Sequence, residues 1–333
     1  MGVRKTESRI PANYQPSDLG EAVIAPDSRC AIISFLTAPI VLSRDNTYVL
    51  VVSDSALASA TESFDWTFTE NGSVTQVKST SQGEIIYRPA ATGLLRVDVK
   101  VLDATKSEQA AISLEQQVVS PSAILEDFIT EAQNAPGPGV GDPSGARELV
   151  NEHSLYCQKV QLKTSEDGDS FRRFLFNMVS SGATKRTSVD RQQYLEEMAG
   201  SLNERTNEFA RLAATGVGVC GIRLTLLAMV LPQTPGGAPF MPWKELPDDD
   251  NERKFADEQL RQNLAALSEE ARIDLFNVAR FPQSNINACG AILESLRDRY
   301  FPGTSFKDVM TGMSGTRAHW ILRHFLHGPV AHA

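Results

Sequence analysis

A chain of 333 residues is too long for one ordinary hydrophobic core and suits two. Its composition, 41% hydrophobic and 22% charged, is that of a folded protein and excludes wholesale disorder. Net charge is −9, with 10 Lys/Arg against 17 Asp/Glu in residues 1–135 and 22 against 24 in the remainder. The first part therefore repels phosphate backbones. In the second, Arg172-Arg173 and Arg297 to Arg299 alternate with acids as on solvated helix faces, which argues against a nucleic-acid partner.

Residues 1–21 read as an N-terminal extension. They are basic in part but precede no apolar segment, and the first apolar run, Ala31 to Leu42, is broken by Thr37 and Pro39, so no secretory signal is expected. Met1-Gly2 with Thr6 fits the myristoylation pattern, which we read as a chance match. Cys30, Cys157, Cys220 and Cys289 lie more than 60 residues apart, without metal spacing. They read as buried free thiols in a reducing compartment, and a cytoplasmic location is expected.

Residues 22–120 are strand-like, with β-rich runs at Ala31–Leu36, Thr47–Ser53, Ser63–Phe68, Gly83–Pro89 and Leu94–Asp103 separated by Asn, Asp, Gly, Ser and Pro. Period 2 is clearest at Leu95-Val97-Val99-Val101, whose intervening Arg96, Asp98 and Lys100 face water. Five such runs without a helical stretch between them predict a β-sandwich. The segment Phe64-Asp65-Trp66-Thr67-Phe68, the turn Thr69-Glu70-Asn71-Gly72, Tyr87 to Pro89, and Gly93 opening the run that ends at Asp103 together resemble the PKD/immunoglobulin-like superfamily. The resemblance implies that Trp66 anchors the core, that Gly93 opens a final alternating strand, and that the module spaces or recognises partners without catalysis.

Ser120-Pro121 signals a short helix, and the Pro/Gly-rich stretch Asn134 to Pro143 closes a linker over 121–142. Residues 143–333 predict an all-α domain. Ser188 caps a helix through about Ala214, with Leu195, Met198, Leu202, Phe209 and Leu212 on one stripe, and Leu260, Leu264, Leu267, Ala271, Leu275 and Val278 repeat the spacing. Ser305 to Asp308 resembles a capping box, and Gly328-Pro329 ends the last helix. A similarity between Phe174 to Met178 and Asp274 to Val278 hints at duplication.

Several patterns touch on chemistry. Gly216-Val217-Gly218-Val219-Cys220-Gly221 fits G-x-G-x-x-G, but a phosphate-binding turn needs a strand before it, and the preceding residues read as helical. The same region, Ala213 to Leu231, is nearly apolar; Arg223 in its middle and Pro232 at its end favour a central buried helix over a membrane segment. His319, His324 and His327 share the last helix without HExxH spacing and read as ordinary helix C-terminal histidines. Gly312 to Thr316 falls short of a nucleophile elbow. Glu166 to Ser170 and Asp248 to Asp250 read as helix caps in preference to Ca²⁺ ligands. No metal and no cofactor are expected. The expected function is a non-enzymatic interaction or assembly protein with protein partners, similar by fold-level analogy to components of phage-like particles and contractile injection systems. The alternatives are an enzyme or toxin-like effector with its site in the helical half, and a conditional membrane-perturbing protein using residues 213–231.

Overall fold

The structure, a computed structural model, describes residues 8–120, 171, 175, 188–202, 206–311 and 316–329. The linker over 121–142, Cys157, the acidic run 166–170, most of the repeat segment 174–178 and the loop 312–315 lie outside them. The chain divides into two units, the β-rich residues and the helical ones, and residues 11–13 group with the helical unit, where Asn13 Nδ2 donates to the carbonyl of Pro232.

Alternating apolar residues build the first unit. Strands β1 (Glu21–Ile24), β2 (Cys30–Ser34), β4 (Asn46–Val52) and β7 (Glu84–Tyr87) form one sheet in the order β1-β2-β4-β7. The second sheet has the order β3-β9-β8-β5-β6, from β3 (Ile40–Val41), β5 (Ser63–Glu70), β6 (Ser73–Thr80), β8 (Gly93–Leu102) and β9 (Glu108–Val119). Neighbours are antiparallel except β3 with β9. One core lies between the sheets: Tyr48 and Leu50 from the first meet Trp66, Phe68, Val97 and Leu114 from the second. Trp66 is fully buried, its Nε1 satisfied by Thr80 Oγ1 at 2.9 Å. Phe68 stacks on Tyr87 at 4.0 Å.

Three expectations for this half change. The presumed extension contributes a short helix, α1 (Pro16–Leu19), with Leu19 fully buried, and β1 begins at Glu21. A helix also interrupts the strands: Asp54 accepts from the Leu57 amide and caps α2 (Ser55–Ala60), which buries Leu57. Finally, Gly93 opens β8 but not the last strand, because the twelve-residue β9 follows and pairs with β8 along its length. At the β5–β6 turn Asn71 and Gly72 both have positive φ, 48° and 82°, as a tight hairpin with right-handed strand twist requires.

The helical unit contains α3 (Ser188–Ser201), α4 (Thr206–Leu212), α5 (Leu224–Val230), α6 (Asp250–Ala265), α7 (Glu269–Arg280), α8 (Pro282–Tyr300), α9 (Phe306–Thr311) and α10 (Thr316–His327). The single helix expected from Ser188 to Ala214 is therefore divided between α3 and α4, and Leu202 and Phe209 are both fully buried. α7 is buried from Arg272 to Arg280. The Arg272 guanidinium donates to the carbonyls of Leu202, Ala265 and Leu267 at 2.7 to 3.1 Å, gathering chain ends that helices leave without intrahelical partners. Ser305 and Asp308 form the expected cap of α9, and Gly328, at φ +87°, follows the end of α10.

Candidate functional site

Residues 213–231 do not form the expected central helix. After α4 the chain makes a glycine turn in which Val217 and Ile222 exchange backbone hydrogen bonds at 2.8 and 2.9 Å, and only Leu224–Val230 is helical. Gly218 lies against another backbone: a Cβ there would sit 2.1 Å from the carbonyl oxygen of Ala279. The side chain of Asn285, in the first turn of α8 and fully buried, clamps the turn. Its Oδ1 accepts from the Cys220 amide at 2.8 Å, and its Nδ2 donates to the carbonyls of Val217 and Ala279 at 3.1 and 2.7 Å.

Gly218 thus fits against α7 and α8, whereas Gly216 packs against Gly221 within the turn itself. Within the motif the Cys220 amide donates to Asn285 Oδ1 and the Gly221 amide to the Gly218 carbonyl at 3.1 Å, and helix α4 precedes it as the sequence indicates. Cys220 is buried here against Cys289, and burial followed by the hydrogen bond to that sulfur pushes its thiol pKa well up, away from a reactive thiolate. Among the described residues no helix is long and apolar enough to cross a membrane.

The clamped turn delivers Arg223 to a polar seam. Its guanidinium meets Asp257 of α6 at 3.0 Å and donates to the His327 carbonyl, at the end of α10, at 2.9 Å. Both side chains of the ion pair are mostly buried, at 14% and 16% exposure. Asp257 also accepts from Arg261 at 3.2 Å, one helical turn on, and Arg261 reaches the carbonyl of Ala210 in α4. At the start of α6, Asp249 takes the expected capping role, accepting from the amides of Asn251 and Glu252. Neighbouring Asp248 Oδ1 lies 4.0 Å from Arg253 and 3.5 Å from Arg323 of α10.

The three histidines go to three environments. His319 is exposed. His324 is fully buried and stacks on Tyr300 at 4.2 Å, with an interplanar angle of 3°. His327 is exposed at the seam, where partial desolvation first, and then the charges of Arg223, Arg253 and Arg323, lower its pKa below the ordinary 6.5. Among the described residues no three His, Cys, Asp or Glu side chains gather as metal ligands. A separate shallow groove of about 420 Å³ is lined by Met229, Val230, Trp243, Ser295, Asp298 and Arg299, with the Arg299 guanidinium 4.3 Å above the Trp243 ring.

Of the residues the sequence singles out, Gly216, Gly218, Gly221 and Arg223 form one continuous turn and N-cap, and His327 joins Arg223. His319 and His324 do not. Sequence reasoning misses Asn285, Asp257, Arg253 and Arg323. Of these, Asp257, spaced four residues from Arg261, and Arg253, spaced three from Asp250, carry a local signal.

In the β unit, the exposed feature is β6. Among the described residues it is hydrogen-bonded on one side only, by β5, and it exposes Val74 by 61% and Val77 by 67%. The register pairs Thr69 with Val74 and Thr67 with Val77; the intervening bulge sets both valines on the outer face of the sheet. Comparison with known proteins finds no matching family, no matching curated relative and no matching solved structure.

Proposed function

We propose that this chain is a non-enzymatic interaction protein whose β unit, an Ig/PKD-like module, docks a partner protein by strand addition at β6, while the helical unit serves as its assembly domain. The observation that supports this reading is the edge itself. β6 has eight residues, one formal charge at Lys78, no proline and two outward valines, whereas the other terminal strands, β1, β3 and β7, have four, two and four residues. Long edges are normally shortened, charged or covered, because a row of unpaired N–H and C=O groups templates another strand. Such an edge suits an extended segment whose backbone completes the ladder, with an acidic residue opposite Lys78 supplying charge complementarity. The further reading, a component of a phage-like or contractile-injection-type particle, rests on analogy of fold.

The test is selection of a random peptide library on the full chain, followed by hydrogen exchange with the enriched peptides. Extended peptides bearing an acidic position should slow exchange of the β6 amides and bind a Val74→Lys/Val77→Lys variant at least about tenfold more weakly, the equivalent of about 1.4 kcal/mol. Peptides that bind both proteins equally and leave β6 exchange unchanged would overturn the proposal.

A further inference from the structure

The glycine turn carries a second inference, independent of the β6 edge. Two buried free cysteines, Cys220 and Cys289, meet beneath it. Their meeting follows from how α8 holds the turn. Asn285 and Cys289 are four residues apart on α8, so they share one face of it, and both are fully buried. Asn285 binds the Cys220 amide through Oδ1 at 2.8 Å, which fixes the Cys220 backbone beside a residue one helical turn from Cys289, and the two sulfurs lie within hydrogen-bonding reach. The same side chain holds the carbonyls of Val217 and Ala279, so the turn cannot slide along α8 without losing three hydrogen bonds. The pair is nonetheless near the surface. Cys220 is 4% exposed, but its neighbours Val219 and Gly221 are half-buried, and a Cβ at Gly221 would meet nothing within 4 Å. Cys30, by contrast, is enclosed in the core of the β unit, whose buried residues include no second cysteine.

We propose that Cys220 and Cys289 are an oxidisable pair, which hydrogen peroxide converts to a disulfide that staples the glycine turn to α8. Proximity favours the bond, and burial selects the oxidant. Burial holds the Cys220 thiol protonated while the turn is closed, so reaction waits for an opening at Val219 to Gly221 and admits only a small reagent. On opening, Cys220 loses its proton to water and its thiolate attacks one peroxide oxygen. The O–O bond breaks, the sulfur is oxidised to a sulfenic acid, and the departing hydroxide takes up a proton to become water. Cys289 then gives up its proton, and its sulfur attacks that of Cys220 and expels the sulfenic oxygen as a second water. In sum the two thiols lose two electrons and two protons, and one peroxide is reduced to two waters. The second step outruns further oxidation of Cys220 because the attacking sulfur is already held beside it.

The experiment treats the full chain, reduced and then freed of reductant, with hydrogen peroxide, blocks the remaining thiols with N-ethylmaleimide in urea, and maps an unreduced digest by mass spectrometry. The expected product is a peptide pair joined through Cys220 and Cys289, lighter by two hydrogens than the sum of its parts, with Cys30 recovered as a blocked thiol. Thermal unfolding of the oxidised chain should shift up by roughly 5 to 10 °C and return on addition of dithiothreitol, because the cross-link restrains the unfolded helical unit. In Cys289→Ser the second step is lost, so dimedone should trap Cys220 as its sulfenic acid and the thermal shift should vanish. If that variant fails to fold, the map of the parent chain decides alone. Peroxide that oxidises methionine yet leaves Cys220 and Cys289 unlinked, or that joins them to Cys30 or Cys157 as often as to each other, would overturn the pair. A thermal shift that persists in folded Cys289→Ser would do the same.

Discussion

Replacing Gly218 by alanine isolates the clamp on the glycine turn. Gly218 and Gly221 both have positive φ, 72° and 61°, so an alanine at either pays the left-handed backbone strain of about 1 kcal/mol. The two sites differ in surroundings: a Cβ at 221 meets nothing within 4 Å, whereas one at 218 lies 2.1 Å from Ala279 O and 2.4 Å from Asn285 Nδ2. Carbon and oxygen normally stay about 3.3 Å apart, so the turn must retreat by roughly 1 Å. Retreat breaks bonds made by Asn285, each worth about 1 kcal/mol when a buried partner is left unmet, and adds overpacking of about 1 to 3 kcal/mol. Gly218→Ala should then cost about 3 to 5 kcal/mol and Gly221→Ala about 1 kcal/mol. Urea unfolding of the full chain followed at 222 nm reads the helical unit. If Gly218→Ala costs no more than Gly221→Ala, the close approach to α7 and the Asn285 clamp are wrong.

Trp66→Ala should destabilise the β unit by about 3 to 5 kcal/mol, the usual cost of truncating a buried aromatic, and a loss below about 1 kcal/mol in unfolding followed at 218 nm would contradict its position in the core. Burial above all pushes the Tyr87 phenol up to about 12, with its hydrogen bond to Glu70 acting in the same direction. The folded state therefore keeps this proton longer than the unfolded chain. Stability should be intact below pH 10 and fall as pH rises from 10 to 12, and Tyr87→Phe should flatten that part of the profile in urea titrations. A chain limited to residues 14–120 should give a β-type circular dichroism spectrum and unfold cooperatively; a helical spectrum would refute its independence.

Much of the first unit was legible because period 2 is a local signal. Leu95, Val97, Val99 and Val101 are all buried to within 1% while Arg96 and Lys100 between them are exposed, as their alternation predicts. The caps at Asp249 and Ser305 were legible for the same reason, since a cap is a contract between residues two or three apart. β6 was not, because Ser73–Thr80 carries little apolar weight and owes its strand to pairing with β5. Gln116 shows the opposite case: it takes an inward position in β9 between Leu114 and Val118, where pattern alone wants an apolar side chain. It is accommodated by Tyr48, Ser34 and the Leu36 carbonyl, partners from distant parts of the chain.

The helical unit divides along the same line. Stripes of leucine announced helices, but small residues suit a buried helix and a tight turn equally well, so Gly216 to Gly221 was ambiguous until Asn285, 65 residues beyond Cys220, fixed its path. The histidines of α10 had similar local settings and acquired different ones from Tyr300 and Arg223. Amphipathic period, capping and turn chemistry were determined by the sequence alone, since their energies come from neighbours along the chain. Which polar groups met, and hence where Arg253 and Arg323 converge on Asp248, was decided only by tertiary packing, which brings together residues whose separation in sequence carries no trace of their contact.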